Sequence, residues 1–463
     1  MEEISIDHYK NWLKNQDPIF SKAKIPPPHP NRIKIDSRHI TPGDWFLPIK
    51  GNLTDGHQFI PDVLKRGASG FFYEKSLQSS INSEHLKFGI GINHCLSTLQ
   101  KIAKGYRSLF NIPIISLTGS SGKTTTKEMI AAIVNISNHC LLSPGNYNNT
   151  IGLPLTLLQL QPSHTHCILE MGARQQGDIN FLVSLARPTH RVLLNIGSAH
   201  IGIFGSVDAI ANTKLEIFDD INPSDILIAN SDDPRINSWI HSFPSKNVLT
   251  FGSSPEATIK LHSSPQWDEI KISTPNSEIS FNPILKHTTA GINMTAATAI
   301  AYSLDISADD TIYALSRFAG LPGRYKIHHH QDSIIIDDTY NANPESMAYG
   351  LKSLAQHYPD QTKTLILGDM LELGPEEQLK HREIGKLCQT IPKLHQLVTI
   401  GKLSQFISSE LKAKEPHSNK VLHYKTVEQA LLERDQWDRK SEVTYAKASN
   451  GIGLSKLISS LLI

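Results

Sequence analysis

The chain has 463 residues, with 45 lysines and arginines against 44 aspartates and glutamates, so its formal net charge is +1. A nearly neutral chain lacks the basic excess of proteins that follow nucleic acid or lie on anionic membranes, and we expect neither partner. On length alone we expect about three domains.

Four cysteines lie far apart in the sequence and form no Cys-x-x-Cys pair. This spacing argues against a disulfide framework or a structural zinc site and favours a reducing compartment. The opening stretch, MEEISIDHYKNW, is acidic and mixed, unlike a secretory signal, and no apolar stretch approaches the length that crosses a bilayer. We therefore expect a cytoplasmic protein without a membrane-inserted segment.

Residues 1–110 predict a small α/β unit. Two short alternating strands, at 33–38 and 44–49, precede a turn and a helix over 57–66. Ser37 and Arg38 follow the first strand, where they could hold a diphosphate or a nucleoside. A polar turn that satisfies its own backbone explains these residues at least as well.

From residue 111 onward strands alternate with helices, which predicts a parallel sheet covered on both faces. Its first strand leads into a glycine-containing loop made of Gly119, Ser120, Ser121, Gly122, Lys123, Thr124 and Thr125. Such a loop points backbone N–H groups at phosphates, its lysine reaches the outer phosphates and its threonine binds Mg²⁺. The general P-loop pattern has a further glycine where this chain has Leu117, so a coincidental turn stays an alternative to a nucleotide site.

Two further strands of this region end near chemically active side chains. The strand at 167–172 ends on Glu170, and the strand at 191–196 is followed by His200. Because ligands bind beyond the carboxyl ends of parallel strands, both side chains are predicted beside the glycine loop, with Glu170 as a Mg²⁺ ligand. Glu170 could instead be solvated at the sheet rim, and His200 could be structural. Lys214, on a predicted helix over 208–218, reads from composition alone as a solvated lysine.

The remaining sequence predicts a second α/β unit. Residues 245–285 indicate an antiparallel edge or inserted hairpins, a helix opens at Gly291, and 321–324 indicates a linker whose Arg324 could reach a phosphate. His328–His330 have no partner cluster at metal spacing, and we expect a surface loop there. The strands of a doubly wound sheet follow at 333–338, 363–369, 397–401 and 443–447.

Together these motifs resemble those of the Mur ligases over essentially the whole chain. The resemblance depends on Asp36-Ser37-Arg38, Gly43-Asp44 and Asp55-Gly56-His57, on TGSSGKTTTKEM, GNYNNTIGLPLTLL, LEMGARQQGDI and AHIGIFGS, and on GRYK, DDTYNANPESM and LGDMLELG. The last two motifs are the most discriminating. They resemble the branch that adds D-alanyl-D-alanine to UDP-N-acetylmuramoyl-tripeptide, and the Asp-Asn-Pro-Arg motif of a sister ligase does not occur.

This resemblance implies an α/β protein of three domains. A small α/β domain at 1–110 would bind the UDP-sugar. A central domain at 111–322, with a P-loop-type parallel sheet, would bind ATP. A Rossmann-like domain at 323–463 would complete the ligase, and we expect a monomer.

The resemblance also implies the cofactors and the site residues. ATP would lie on the glycine loop, and two Mg²⁺ ions would be bound, one by Thr124 and Glu170. Lys214 would be carbamylated by CO₂ and would help His200 to bind the second ion, so that Lys123, His200 and Lys214 act in catalysis. Further nucleotide contacts would come from Asn293, Arg324, Asp338 and Asn341, and substrate contacts from Ser37, Arg38, Asn146, Asn148 and Asn149.

The reaction implied passes through an acyl phosphate, formed on the tripeptide carboxylate and attacked by the amine of D-alanyl-D-alanine. Three positions depart from the family pattern, namely Ser198, Ala296 and Asn450. The alternatives are another amide ligase of this architecture, such as a folylpolyglutamate synthase, and a nucleotide-dependent switch that makes no bond.

Overall fold

A computed structural model describes residues 4–16, 18–19, 26–242, 247–263, 267–414, 420–437 and 441–462. By their mutual contacts the described residues divide into two compact units. The first unit lies within 1–116, 137–172 and 178–189, and the second lies within 117–136, 173–177 and 190–463.

The first sheet has four parallel strands in the order β1-β2-β3-β4. Its elements are α1 (Ile6–Trp12), β1 (Ile33–Lys34), β2 (Trp45–Phe46), α2 (Ile60–Lys65), β3 (Gly70–Glu74), β4 (Gly89–Ile92) and α3 (Cys95–Arg107). The strand predicted at 33–38 is shorter than expected, because the Asp36 side chain accepts the backbone N–H of Arg38 and starts a 3₁₀ turn over Ser37–His39. Short parallel strands and helices thus make up this α/β region, and its extent as a separate domain at 1–110 stays a prediction.

The second sheet has nine strands in the order β13-β12-β11-β10-β9-β8-β5-β7-β6. Its strands are β5 (Ile114–Thr118), β6 (Cys140–Leu142), β7 (His166–Glu170), β8 (His190–Leu193), β9 (Ile226–Asn230), β10 (Val248–Gly252), β11 (Ile259–Ser263), β12 (Ile270–Ser273) and β13 (Glu278–Phe281). The pairs β11–β12 and β12–β13 are antiparallel, which confirms the predicted antiparallel edge.

The helices of this region alternate with the strands as predicted. They are α4 (Lys123–Val134), α5 (Gly152–Leu157), α6 (Asp178–Ala186), α7 (Ile201–Phe204), α8 (Val207–Leu215), α9 (Pro234–Ser242), α10 (Thr288–Ser303) and α11 (Ala308–Ser316). Helix α10 begins before the predicted Gly291, because the side chain of His287 accepts the N–H of Ala290 and caps the helix there.

The third sheet has six strands in the order β14-β15-β19-β16-β17-β18. Its elements are β14 (Lys326–His330), β15 (Ser333–Asp338), α12 (Pro344–His357), β16 (Lys363–Gly368), α13 (Glu377–Cys388), β17 (Leu394–Ile400), α14 (Gln405–Lys414), β18 (Lys420–Tyr424), α15 (Val427–Leu432), β19 (Val443–Lys447) and α16 (Ser455–Leu461). Leu365 and Leu367 lie in one buried cluster and Ile366 in another, as expected when helices cover both faces of a strand.

The prediction of a surface loop at His328–His330 was wrong. These histidines lie in β14, which pairs antiparallel with β15 along its whole length. β14 is an edge strand, so its backbone is paired on one side only. Edge strands accommodate polar side chains more readily than central strands do. The three α/β sheets nonetheless confirm the predicted fold class. Among the described residues, no helix has both the length and the apolar character that crossing a membrane requires.

Candidate active site

The glycine loop joins β5 to α4 in the second unit. Gly122 has φ +79°, and a Cβ there would lie 2.6 Å from Oδ1 of Asn293, so this position requires glycine and packs against α10. Helix α4 begins at the next residue, Lys123. The loop N–H groups therefore lie at a helix N-terminus, which favours the binding of an anion.

Asn195 holds this loop, and the sequence reasoning missed it. Its backbone oxygen accepts the N–H of Ser120 at 3.1 Å, and its Oδ1 accepts the N–H of Ser121 at 2.9 Å. Its Nδ2 donates back to the Ser121 oxygen at 3.1 Å. The available signal was a carboxamide just beyond a strand of the parallel sheet, at the edge where such sheets bind ligands.

Two lysines meet at one carbonyl of the loop. Lys123 Nζ donates to the Gly119 oxygen at 2.7 Å, and Lys214 Nζ donates to the same oxygen at 3.2 Å. Lys214 is only 6% exposed, so its interpretation as a solvated helix lysine was wrong. Burial, with a smaller contribution from the Lys123 charge, lowers the pKa of Lys214 to about 7. The uncharged amine is therefore far more accessible near neutral pH than in an ordinary lysine.

His200 precedes the short helix α7 in a left-handed conformation, with φ 65°. Its Nδ1 lies in hydrogen-bond contact with Oε2 of Glu372. Burial lowers the pKa of His200, the Glu372 carboxylate opposes that shift, and the Lys123 and Lys214 charges add to it. His200 and Lys214 thus act on each other electrostatically, and their shared metal site stays a prediction.

Arg324 reaches the glycine loop from the segment that was predicted to be a linker. That segment is a turn closed by a bridge between Leu321 and Arg324. The Arg324 Nη2 donates to Oγ1 of Thr124 at 2.8 Å, and its guanidinium carbon lies 3.9 Å from the ring centroid of Tyr340. A guanidinium held in this way is suited to a phosphate.

Asp338 ends β15 and is held by its own sheet. Its Oδ2 accepts Lys447 Nζ at 2.7 Å and the Tyr445 hydroxyl at 2.9 Å, and its Oδ1 accepts the N–H of Tyr325 at 3.2 Å. Burial raises the pKa of Asp338 and outweighs the opposing Lys447 charge. Asn341, by contrast, is exposed. Their contacts with a nucleotide stay predictions.

In the first unit, Glu170 ends β7 and is 4% exposed, which excludes a solvated rim position. Its Oε1 accepts Asn148 Nδ2 at 2.9 Å. The Asn149 side chain accepts the N–H groups of Ile151 and Gly152 where α5 begins, while Asn146 is exposed. Asn149 therefore has a local structural role that the sequence did not indicate.

The Arg38 side chain donates three hydrogen bonds to Asp36, from Nε to Oδ1 at 2.9 Å and to Oδ2 at 3.3 Å, and from Nη2 to Oδ2 at 2.6 Å. The Arg38 side chain is 81% exposed, and Ser37 is half-buried. The structure thus contains the self-satisfied polar turn of the alternative interpretation. An exposed guanidinium can still exchange this partner for a phosphate, so the substrate role of Ser37 and Arg38 stays a prediction.

The second unit brings together one set of predicted residues, namely Gly119–Thr125, His200, Lys214, Asn293 and Arg324. The described residues contain no group of three or more His, Cys, Asp or Glu that could hold a metal ion. His200 and Lys214 fit Mg²⁺ only if Lys214 gains oxygen ligands, because a lysine amine is a poor partner for a hard cation.

Three family models match the chain. Residues 29–107 match the Mur ligase family catalytic domain, residues 117–301 the Mur ligase middle domain, and residues 323–442 the Mur ligase glutamate ligase domain. We call 117–301 the middle segment and 323–442 the C-terminal segment.

Among curated relatives, UDP-N-acetylmuramoyl-tripeptide–D-alanyl-D-alanine ligase of Bacillus subtilis is 31% identical over 93% of this chain and 93% of its own length. The ligase of the same name from Escherichia coli is 31% identical over 81% and 82%.

Solved structures agree with these relatives. MurF from Acinetobacter baumannii has a TM-score of 0.86 and 27% identity, covering 100% of this chain and 99% of its own. MurF ligase from Thermotoga maritima, solved in complex with ADP, has a TM-score of 0.79 and 26% identity, covering 92% and 96%. The chain belongs to the Mur ligase family.

Proposed function

We propose that this chain is the ATP-dependent ligase that joins D-alanyl-D-alanine to UDP-N-acetylmuramoyl-tripeptide in peptidoglycan precursor synthesis, releasing ADP and phosphate. The main structural support is the meeting of the glycine loop, Lys123 and Lys214 with Arg324 in one unit. The substrates follow from the relatives, which are 31% identical and match over 93% and 81% of the chain.

The chemistry assigns a task to each of these groups. A tripeptide carboxylate oxygen attacks the γ-phosphorus of ATP, the bond to the bridging oxygen breaks, and ADP leaves. The amine of D-alanyl-D-alanine then attacks the acyl carbon, phosphate leaves with the former carboxylate oxygen, and the nitrogen loses a proton. Asn195 accepts the N–H groups of Ser120 and Ser121, and we assign the phosphates to the other loop N–H groups, Lys123 and Arg324, which would balance the charge of the transferring group. Bound Mg²⁺ would supply further charge neutralisation.

We assign Lys214 to the carbamate expected from the resemblance. The uncharged amine of lysine attacks CO₂ and loses a proton, which leaves a carboxylate on Nζ. Burial beside Lys123 favours this reaction, because it favours the uncharged amine and places a cation beside the new anion. The carbamate oxygens and His200 would then be ligands of one Mg²⁺.

We also propose a cytoplasmic location. The four cysteines, Cys95, Cys140, Cys167 and Cys388, are all buried thiols that form no disulfide, as a reducing compartment would keep them.

Phosphate release tests the proposed function. ATP hydrolysis should require the muramoyl tripeptide and D-alanyl-D-alanine together, with little turnover when either is supplied singly. Turnover that ignores D-alanyl-D-alanine would contradict the ligase assignment. A panel with glutamate or single amino acids in place of the dipeptide separates this reaction from that of a folylpolyglutamate synthase.

A further inference from the structure

The turn that contains His200 is held from the C-terminal segment. His200 belongs to the middle segment and has φ 65°, and its partner Glu372 in the C-terminal segment has φ 62°. Residues other than glycine rarely adopt this conformation, and they keep it only when their neighbours hold them there. Both left-handed residues lie in the same contact.

The backbones of the two segments touch at this point. Gly202 N donates to the Glu372 oxygen at 3.0 Å. A Cβ on Gly202 would lie 2.5 Å from the Gly374 nitrogen and 2.8 Å from the Glu372 oxygen. Only glycine allows this backbone approach. The side chains of His200 and Glu372 are 36% and 41% exposed, so it is the fitted backbone beneath them that holds the pair together.

A second carboxylate of the C-terminal segment reaches the same turn. Oε1 of Glu345, in the first turn of α12, accepts the N–H of Ser198 at 2.8 Å. Its Oε2 is buried and has no hydrogen-bond partner among the described residues. A Cβ on Gly197 would lie 3.5 Å from both Glu345 Cδ and Ser120 Cβ, so this carboxylate lies close to the glycine loop.

We infer that Glu372 and Glu345 are positioning residues that hold His200 in the orientation needed to bind a divalent cation. This inference rests on the proposed function, which makes His200 a metal ligand. A carboxylate on Nδ1 fixes the tautomer and leaves the Nε2 lone pair for the cation. Glu345 fixes the backbone that precedes the histidine.

Metal binding and the docking of the C-terminal segment are then coupled. If the docked carboxylates strengthen metal binding by some factor, bound metal strengthens docking by the same factor. His200 is thus held in its metal-binding orientation only when the C-terminal segment is docked on the middle segment.

The test measures Mn²⁺, in place of Mg²⁺, by electron paramagnetic resonance with a non-hydrolysable ATP analogue present. Glu372→Gln should raise the Mn²⁺ dissociation constant about 10-fold, the low end for loss of a ligand's hydrogen-bond partner. The dissociation constant of the ATP analogue alone should stay as in wild type. kcat should fall, whereas KM for ATP should change little.

Two further variants complete the design. Glu345→Ala should weaken Mn²⁺ binding, and Glu345→Gln should restore it, because the amide oxygen can still accept the N–H of Ser198. In a His200→Ala background, Glu372→Gln should change the Mn²⁺ dissociation constant less than about 2-fold, because the group it positions is gone. Glu376→Gln is the matched control, since Glu376 lies in the same segment with its side chain 50% exposed.

Wild-type Mn²⁺ affinity in both Glu372→Gln and Glu345→Ala, with weakened binding in His200→Ala, would overturn the inference and leave the proposed function intact. If Glu372→Gln does not fold, the comparison of Glu345→Ala with Glu345→Gln decides. Failure of the proposed function would instead appear in the wild type, as phosphate release that does not depend on D-alanyl-D-alanine.

Discussion

At the scale of the residue, Lys214 is the side chain whose chemistry depends most on its surroundings. As a carbamate its side chain would be an anion in the folded protein, although an unmodified lysine is a cation. Lys214→Ala should therefore lower kcat by about 10²-fold or more, the loss expected when a fixed charge near the transferring group is removed. ATP should still bind through the glycine loop, which fluorescence titration with a nucleotide analogue would measure.

Lys214→Arg is the informative comparison, because arginine keeps the positive charge and cannot form the carbamate under these conditions. We expect it to be as inactive as Lys214→Ala, and we expect acetate to restore part of the activity of Lys214→Ala alone. CO₂-depleted buffer should lower wild-type turnover reversibly. Full activity in Lys214→Arg would show that the carbamate assignment is wrong.

The sequence predicted the loop residues at 119–125 because their spacing is a local pattern. It did not predict Asn195 or the burial of Lys214, since both depend on which strands and helices pack together. Glu345 and Glu372 lie within motifs that the sequence supplied, yet their contact with the His200 turn joins residues more than a hundred positions apart. The spacing of apolar residues along the chain carries no information about such a distant contact.

At the scale of the element, helix α10 begins at a histidine that is both its cap and a buried titratable group. Nδ1 of His287 accepts the N–H of Ala290, and the ring centroid lies 4.3 Å from that of Tyr325. Burial, with smaller contributions from His357 and Lys447, lowers the pKa of His287 to about 3. The fold therefore favours the neutral ring, and its contribution to stability is complete above the ordinary pKa of about 6.5.

This contribution should decrease as pH falls below about 6.5 toward the folded value, by at most about 1.4 kcal/mol per pH unit. His287→Asn keeps a capping side chain and removes the titration, so its urea midpoint should fall less between pH 7 and pH 5. His241→Asn, at a side chain that is 64% exposed, is the control. Parallel pH profiles of wild type and His287→Asn would contradict this account.

The predicted helices and strands were correct where apolar residues follow a regular spacing and wrong where they do not. The helix after the glycine loop and the parallel strands followed their periodicity, because apolar residues alternate or recur wherever they are buried. β14 was missed because its three consecutive histidines lack that alternation. It forms a strand because it pairs with β15, and its own sequence does not indicate that pairing. The early start of α10 was missed because a histidine cap is not among the usual capping residues.

At the scale of the whole molecule, the second unit places the C-terminal segment against the middle segment, and Gly202 is the residue that allows their backbones to touch. Gly202→Ala would place a methyl group 2.5 Å from the Gly374 nitrogen, and backbone atoms cannot yield as a flexible side chain would. The two turns should separate slightly, and the Glu372 contact with His200 should be lost.

We therefore expect Gly202→Ala to lower kcat about 10-fold with little change in nucleotide affinity, because a displacement near 1 Å at a reacting site can cost up to about 10²-fold. Steady-state kinetics with both substrates, together with nucleotide titration, would measure the two effects separately. Gly51→Ala is a suitable control, since its Cβ would make only an ordinary 3.5 Å contact. The alanine adds no charge and removes no hydrogen-bonding group. A loss of kcat in Gly202→Ala but not in Gly51→Ala would therefore result from the altered fit between the two segments. A wild-type kcat in Gly202→Ala would show that this fit does not limit the reaction.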